Sequence, residues 1–171
     1  MTNVPSDSVT GASLADYRSF MSRFPTGVSI VTAKDPSGRP WGMTCSSVCS
    51  VALEPPTLLV CLRVGSPTLA AILRQSTFAV NLLHEGAQPA AELFASGAAD
   101  RFDRVRWAAG PGAGGPHLLD HAHAVAHCQV SGTCPVGDHT VVFGEVYQTS
   151  RQEGQRPLLY GMRSYAAWPV R

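Results

Sequence analysis

Residues 27–51 read GVSIVTAKDPSGRPWGMTCSSVCSV, and the alternation of β-branched runs and turn residues in this stretch sets the fold class. Gly27 to Ala33 is rich in Val, Ile and Thr, which suit a pleated, half-buried surface. Asp35-Pro36-Ser37-Gly38 then reads as a turn, because Pro presets φ and Gly permits positive φ. Trp41 to Val51 is expected to return as one continuous extended stretch. Two strands joined by a tight turn make an antiparallel pair, and the rest of the chain repeats that grammar.

Downstream, Glu54-Pro55-Pro56 interrupts the second strand, and Thr57 to Leu62 (TLLVCL) is a short apolar run of buried-strand length. Ser66 can cap a helix with Pro67 at its first position and Leu69, Ile72 and Leu73 on its apolar face. Phe78 to Leu83 reads as a strand, and Ala90 to Ser96 as a short helix ended by Gly97. Gly110 to Pro116 (GPGAGGP) reads as a surface loop. Ala124 to Thr133, His139 to Thr149 and Pro157 to Met162 give three further β segments separated by Gly, Pro and Asp turns. Upstream, Ser13 and Asp16 have capping-box-like spacing, and Leu14, Tyr17, Met21 and Phe24 recur at helical intervals before Pro25 and Gly27. Strands outnumber helices and only one helix joins strands that could be parallel. A mainly β, antiparallel barrel with a few peripheral helices is therefore expected over a doubly wound sheet.

The chain has 171 residues, 44% of them hydrophobic and 15% charged, enough for one well-covered core. One domain over residues 13–171 is expected, preceded by a flexible arm at 1–12. Thirteen basic and twelve acidic residues leave a net charge of +1, and the arginines do not cluster, so no nucleic acid partner is expected. The start lacks a signal-peptide pattern and no run of eighteen apolar residues occurs, so neither a membrane nor an exported location is expected. Five cysteines, at 45, 49, 61, 128 and 134, form no CxxC pair, which fits a reducing cytoplasm and argues against a disulfide framework or a structural zinc site.

Gly42-Met43-Thr44-Cys45-Ser46-Ser47 offers small side chains and hydroxyls at a strand end, which suits either close approach to a planar ligand or a plain strand-to-loop transition. Ser66-Pro67-Thr68 opens a helix, whose free N–H groups and dipole favour phosphate, with Arg63 near by; an ordinary N-cap has the same sequence. Gly110, Gly112 and Gly115 satisfy GxGxxG, but the strand-turn-helix context is missing. His123 and His127 on one strand would stand ~13 Å apart, too far to share a zinc ion, so no metal site is expected. His139, after Gly137-Asp138, faces either a pocket at a barrel rim or solvent. No nucleophile motif surrounds any Ser or Cys.

Taken in order, these residues resemble the short-chain flavin reductase family, which supplies reduced flavin to two-component monooxygenases. The resemblance runs from Tyr17 to Tyr165. It rests on Arg23-Phe24-Pro25-Thr26-Gly27-Val28, Gly42 to Ser47 with Ser50-Val51, Pro55-Pro56, Ser66-Pro67-Thr68-Leu69 and Phe78-Ala79-Val80-Asn81. Asp100-Arg101-Phe102, Gly137-Asp138-His139, Pro157-Leu158-Leu159-Tyr160 and Tyr165 complete it. It implies a split β-barrel of Greek-key type, a homodimer, and hydride transfer from NADH or NADPH to N5 of FAD or FMN. By resemblance, Thr44, Cys45, Ser46 and Ser47 contact the flavin ring and ribityl chain, with Met43 and Ser50 beside them. Arg63, Ser66 and Thr68 stand near the phosphate, and Asn81, Leu82 and Phe102 line the groove. His139, the implied catalytic residue, sits by the nicotinamide, and Arg163 with Tyr165 closes that site. Cys45 stands where the family usually has Ala, and Pro67 where a polar or basic residue is frequent, which leaves FMN versus FAD open. A non-catalytic split-barrel flavin or haem binder is the alternative.

Overall fold

The computed structural model describes residues 11–112 and 114–169; most of the expected N-terminal arm, residues 1–10, lies outside the described residues. Among the described residues, three helices, α1 (Leu14–Ser22), α2 (Pro67–Gln75) and α3 (Gln88–Ser96), accompany twelve strands. In chain order the strands are β1 (Thr26–Gly27), β2 (Ser29–Lys34), β3 (Pro40–Cys45), β4 (Val48–Leu53), β5 (Pro56–Arg63), β6 (Thr77–Leu83), β7 (Trp107–Ala108), β8 (His117–Leu118), β9 (Ala122–Val136), β10 (His139–Arg151), β11 (Leu158–Gly161) and β12 (Ser164–Ala167). The fold is mainly β, and every ladder is antiparallel.

Seven strands form the main sheet in the order β3-β2-β6-β9-β10-β5-β4. Its two edges, β3 and β4, are consecutive in the chain and joined by Ser46 and Ser47 alone. A flat sheet of seven strands would hold its edges ~29 Å apart, whereas such a link spans ~10 Å. The sheet must therefore roll until its edges approach at that corner, where Cys61 N donates to Ser47 O at 3.2 Å. No ladder joins β3 to β4, so the roll remains open. This corrects the expectation of one continuous strand from Trp41 to Val51: the stretch breaks at Ser46-Ser47 and supplies both edges of the sheet.

The inner face of the roll buries Val31, Val60, Leu62, Phe78, Val80 and Val142 against Leu69, Ala71 and Ile72 of α2. A second cluster packs Val28, Ile30 and Leu83 against Ala90, Ala91 and Phe94 of α3, with Phe102, Leu118 and Leu158. Helix α2 has the expected Ser66 cap, the side chain accepting from Leu69 N at 3.2 Å. Helix α1 has the expected Ser13 cap and no buried residue, so Leu14, Tyr17 and Phe20 remain exposed.

The loop expected at Gly110–Pro116 is only partly at the surface: Gly112 is exposed, but the end of the segment turns inward. Gly114, Gly115 and Pro116 are buried, and a Cβ on Gly115 would meet the Thr32 carbonyl oxygen of β2 and lie 2.7 Å from Ala79 N of β6. Thr32 Oγ1 and Asn81 Nδ2 donate to Pro116 O at 2.6 and 3.1 Å, while Asn81 Oδ1 accepts from Leu118 N at 2.9 Å. A small sheet, β1-β11-β12, flanks the corner, and β7 pairs with β8.

Candidate functional site

Two cavities meet at the end of β3, sharing Thr44 and Ala95 in their walls. One, of about 680 Å³, lies between Thr44 and Ser46, the exposed side of α3 with Gln88 and Glu92, and the β11–β12 hairpin with Tyr160, Arg163, Ser164 and Tyr165. The other, of about 700 Å³, runs from Thr44 past Met43, Gly42 and Trp41 to Arg39, and is closed by Arg63, the α2 start at Ser66 to Thr68, and Arg101. Together they form a groove long enough for an extended ligand of planar and anionic parts.

The two cavities differ in charge. The second is lined by Arg39, Arg63 and Arg101 and by no acidic residue. Arg101 is 7% exposed; its Nε donates to Gly42 O at 2.9 Å and its Nη1 to Gly97 O and Ala98 O at 3.2 and 2.6 Å. Burial, and then the charge of Arg39, lower its pKa, although a guanidinium stays protonated. The first cavity has both Arg163 and Glu92 in its lining, a wall of mixed charge. There burial, followed by Glu92 and Tyr160, raises the pKa of Tyr165, whose ring lies 5.0 Å from that of Tyr160.

Backbone conformation presents Arg163. Gly161 pairs with Ser164 across a turn whose central residues, Met162 and Arg163, have φ of 50° and 60°. These are the torsion signs of a type I′ hairpin turn, usually made by Asn-Gly. Left-handed conformations in two non-glycine residues are strained, and such strain gathers at functional positions.

The structure brings together Met43, Thr44, Arg63, Ser66 and Thr68 in the second cavity, and Thr44, Ser46, Arg163 and Tyr165 in the first. Thr44 Oγ1 donates to Ala91 O at 2.6 Å, tying α3 to β3. Ser66 is an occupied cap, Pro67 has no N–H, and Ala70 N bonds Ser66 O. The Thr68 N–H is then the first-turn amide left for an anion, so the helix start alone is a weak phosphate site and the arginines must contribute. Ser47 lies exposed at the sheet corner.

Other expected ligand contacts point elsewhere. Cys45 is buried in the core, with its Sγ 3.7 Å from Cys61 O and its pKa raised by burial to about 11. Asn81 is fully buried and its amide is spent on Ile30, Thr32, Pro116 and Leu118. Phe102 packs edge-on against Phe94 and Trp107 at 5.1 and 5.9 Å. That pair also explains Gly42, since a Cβ there would lie 3.0 Å from Phe94 and 3.2 Å from Phe102. Ser50 opens onto an apolar hollow with Leu53, Leu58 and Val146. Leu82 faces a hollow with Phe24, Ser29 and Val48 that touches the groove only through Ser46. His139 lines neither cavity; its Nδ1 lies 2.8 Å from Asp138 Oδ1 and its Cα partner on β5 is Arg63. Within one chain His139 thus stands at the Arg63 end, away from Arg163 and Tyr165.

Sequence reasoning left Arg39, Trp41, Gln88 and Glu92 out of the site. The available signal was Arg39-Pro40-Trp41 directly after the Asp35 turn, an aromatic and a cation placed on the strand that leads to Thr44.

The rolled antiparallel sheet thus carries a groove that is cationic at one end and mixed at the other, a shape and charge suited to an elongated, partly anionic ligand. The model of the flavin reductase like domain matches residues 21–169, and the chain belongs to that family. It is 52% identical to a flavin reductase (NADPH) of Lentzea aerocolonigenes over 154 residues, which covers 90% of this chain and 89% of the relative. It is 44% identical to a flavin reductase (NADH) of Kitasatospora aureofaciens over 155 residues, with coverage of 90% and 81%. Among solved structures, the NADH:FAD oxidoreductase SgcE6 of Streptomyces globisporus, in complex with NAD and FAD fragments, superposes with a TM-score of 0.84 at 32% identity, covering 91% of this chain and 92% of that one.

Proposed function

We propose that the groove is a flavin and nicotinamide site and that the chain is an NAD(P)H-dependent flavin reductase supplying reduced flavin to a separate flavin-dependent monooxygenase. The observation that carries this reading is the junction at Thr44: a cationic cavity for a phosphate-bearing end opens into a mixed cavity walled by Tyr165 and Arg163. When both ligands are bound, the flavin supplies an electrophilic N5 that accepts hydride from the nicotinamide. The residues act by placement. Arg63, Ser66 and Thr68 hold the phosphate, and Thr44 and Ser46 border the ring. Tyr165 supplies an apolar face and Arg163 a cation at the mouth. His139, at the Arg63 rim, is assigned a positioning role. No covalent protein intermediate is needed, which agrees with the buried, protonated Cys45 thiol.

The open roll, with edges that meet at one corner, supports a split β-barrel, and residues 13–171 are read as one domain. A homodimer is part of the proposal, because α1 and the hollow around Leu53, Leu58 and Val146 expose apolar surface on the same chain. A cytoplasmic location is proposed from the five free cysteines.

Absorbance at the nicotinamide band tests the activity. With catalytic protein and excess FAD or FMN, many equivalents of NADH or NADPH are expected to be consumed per protein. A rate no greater than that without protein removes the reductase reading and leaves a flavin binder.

A further inference from the structure

The cationic cavity is longer than one phosphate requires. We propose that its outer half seats the adenosine diphosphate end of a dinucleotide flavin, with Arg39, Trp41 and Arg101 as the residues that make the chain prefer FAD to FMN. This rests on the flavin reading of the groove.

Trp41 precedes Thr44 by three residues on β3, which places it ~10 Å along the strand. A flavin whose ring lies at Thr44 and whose first phosphate lies at Arg63 and the α2 start leaves Trp41 unused if it ends there. The indole is nevertheless held in place. Asp35 accepts from Trp41 Nε1 at 3.0 Å, and the same carboxylate accepts from Ser37 N, Ser37 Oγ and Arg39 N. The hydrogen bonds from Ser37 and Trp41 lower its pKa to about 2, so it stays ionised at neutral pH. On that fixed indole the Arg39 guanidinium lies 4.5 Å from the ring centroid, and Arg101 approaches the same ring at 5.9 Å. A guanidinium layered on an indole is a platform for a purine, since planar Arg groups and aromatic rings both stack on bases.

Arg101 adds the second element. It is nearly buried, it donates to the carbonyl oxygens of Gly42, Gly97 and Ala98, and no acidic residue lines the cavity beside it. Carbonyls satisfy N–H groups and leave the positive charge uncompensated, so an anion at this point is favoured. A flavin mononucleotide and a flavin dinucleotide carry similar total charge, and charge alone does not choose between them. The choice lies in extent: Arg63 stands at the α2 end of the cavity, and Arg39 with Arg101 at the β3 and α3 side, as a diphosphate followed by a base requires.

Fluorescence titration with FAD and with FMN, on wild type, Arg39→Ala and Trp41→Ala, tests the assignment. Wild type is expected to bind FAD about tenfold more tightly than FMN, the scale of one stacked base. Each variant is expected to lose about that factor for FAD and to shift FMN by no more than about twofold. Arg39 is exposed, so its variant keeps the test open if Trp41→Ala misfolds. Free ADP is expected to displace FAD. Equal affinities in wild type, or variants that weaken both flavins alike, overturn the proposal while turnover with either flavin leaves the reductase reading standing. ADP that competes with NADH and leaves FAD bound gives the cavity to the nicotinamide dinucleotide and likewise overturns it. Failure to bind either flavin removes both readings.

Discussion

Two stretches of this chain are rich in small residues, 42–47 (GMTCSS) and 110–116 (GPGAGGP), and they do opposite things. The glycine-rich one, whose spacing matches a phosphate-binding motif, is packed against its own protein. Gly110 would bring a Cβ to 2.5 Å from Gly115 O and 2.7 Å from His127 Cε1, and Gly114 would bring one to 2.8 Å from Pro111 O. Gly110, Gly114 and Gly115 are glycines because β2, β6, His127 and the segment's own backbone leave no room, whereas Gly112 stands in open space with a φ of 58°. The stretch with one glycine borders the open groove. Even there Gly42 is small because Phe94 and Phe102 press on it from behind, and the ligand side is served by Thr44 and Ser46. Glycine reports close approach, and what approaches must be read from the surroundings.

The difference can be broken from the loop side first. Gly115→Ala drives a methyl into the Thr32 carbonyl and the Ala79 amide, both backbone and unable to yield, and is expected to cost about 3 kcal/mol or more by overpacking. Chemical denaturation measures it. Any folded fraction should retain flavin affinity, because the loop touches neither cavity; a selective loss of affinity at unchanged stability would mean that the loop serves the ligand after all.

The groove side should respond the other way. Arg163→Gly relieves a left-handed residue and is expected to stabilise the fold by about 1 kcal/mol, raising Tm by roughly 2–4 °C for a chain of this size. Turnover with NADH and flavin should fall at the same time, because the cation at the cavity mouth is lost. A variant that is more stable and fully active would show Arg163 to be a turn residue only.

Acidification gives the smallest and most diagnostic contrast. His117, His121, His123 and His127 all have pKa values lowered, by burial first; His117 directly follows the packed loop and His127 packs against its glycines. His127 Nδ1 is moreover buried without a hydrogen-bond partner. Their folded pKa values lie below the unfolded value of about 6.5, so the unfolded chain takes up protons first. Stability should be level above that pH and decline as pH falls from 7 towards 5, which a series of thermal melts would show. His127→Phe should flatten the decline; an unchanged slope would place its origin elsewhere.

Much of the fold was legible in the sequence because it depends on local chemistry. The Asp35 turn, the Ser13 and Ser66 caps, the apolar run of β5 and the strands β6, β9, β10 and β11 follow from propensities and breakers that act over a few residues. The two-residue strands β1, β7 and β8 were missed because two residues carry no period, and β1 in addition pairs with the distant β11; β12 was missed because its hairpin turn is Met162-Arg163 and lacks the usual Asn-Gly signal. In the candidate site, Thr44, Ser46, Arg63, Ser66, Thr68, Arg163 and Tyr165 could be named in advance from small polar strand ends, a helix start and the family pattern. Cys45, Asn81 and Phe102 could not be told apart from them, because a motif records which residues recur and not which way each side chain points. On β3 the alternation that sends Cys45 inward is the same one that leaves Thr44 at the groove.

By itself, then, the sequence determined a mainly antiparallel β chain of the flavin reductase family, because hydrophobic period, turn chemistry and motif order are properties of the chain. Tertiary structure alone decided that residues 41–51 span both edges of one rolled sheet, that Gly115 and Asn81 serve packing, and that Arg39, Trp41 and Arg101 join Arg63 around one cavity. Those facts arise from ladders between strands distant in sequence, and from the burial that forces each polar group to find a partner or an opening.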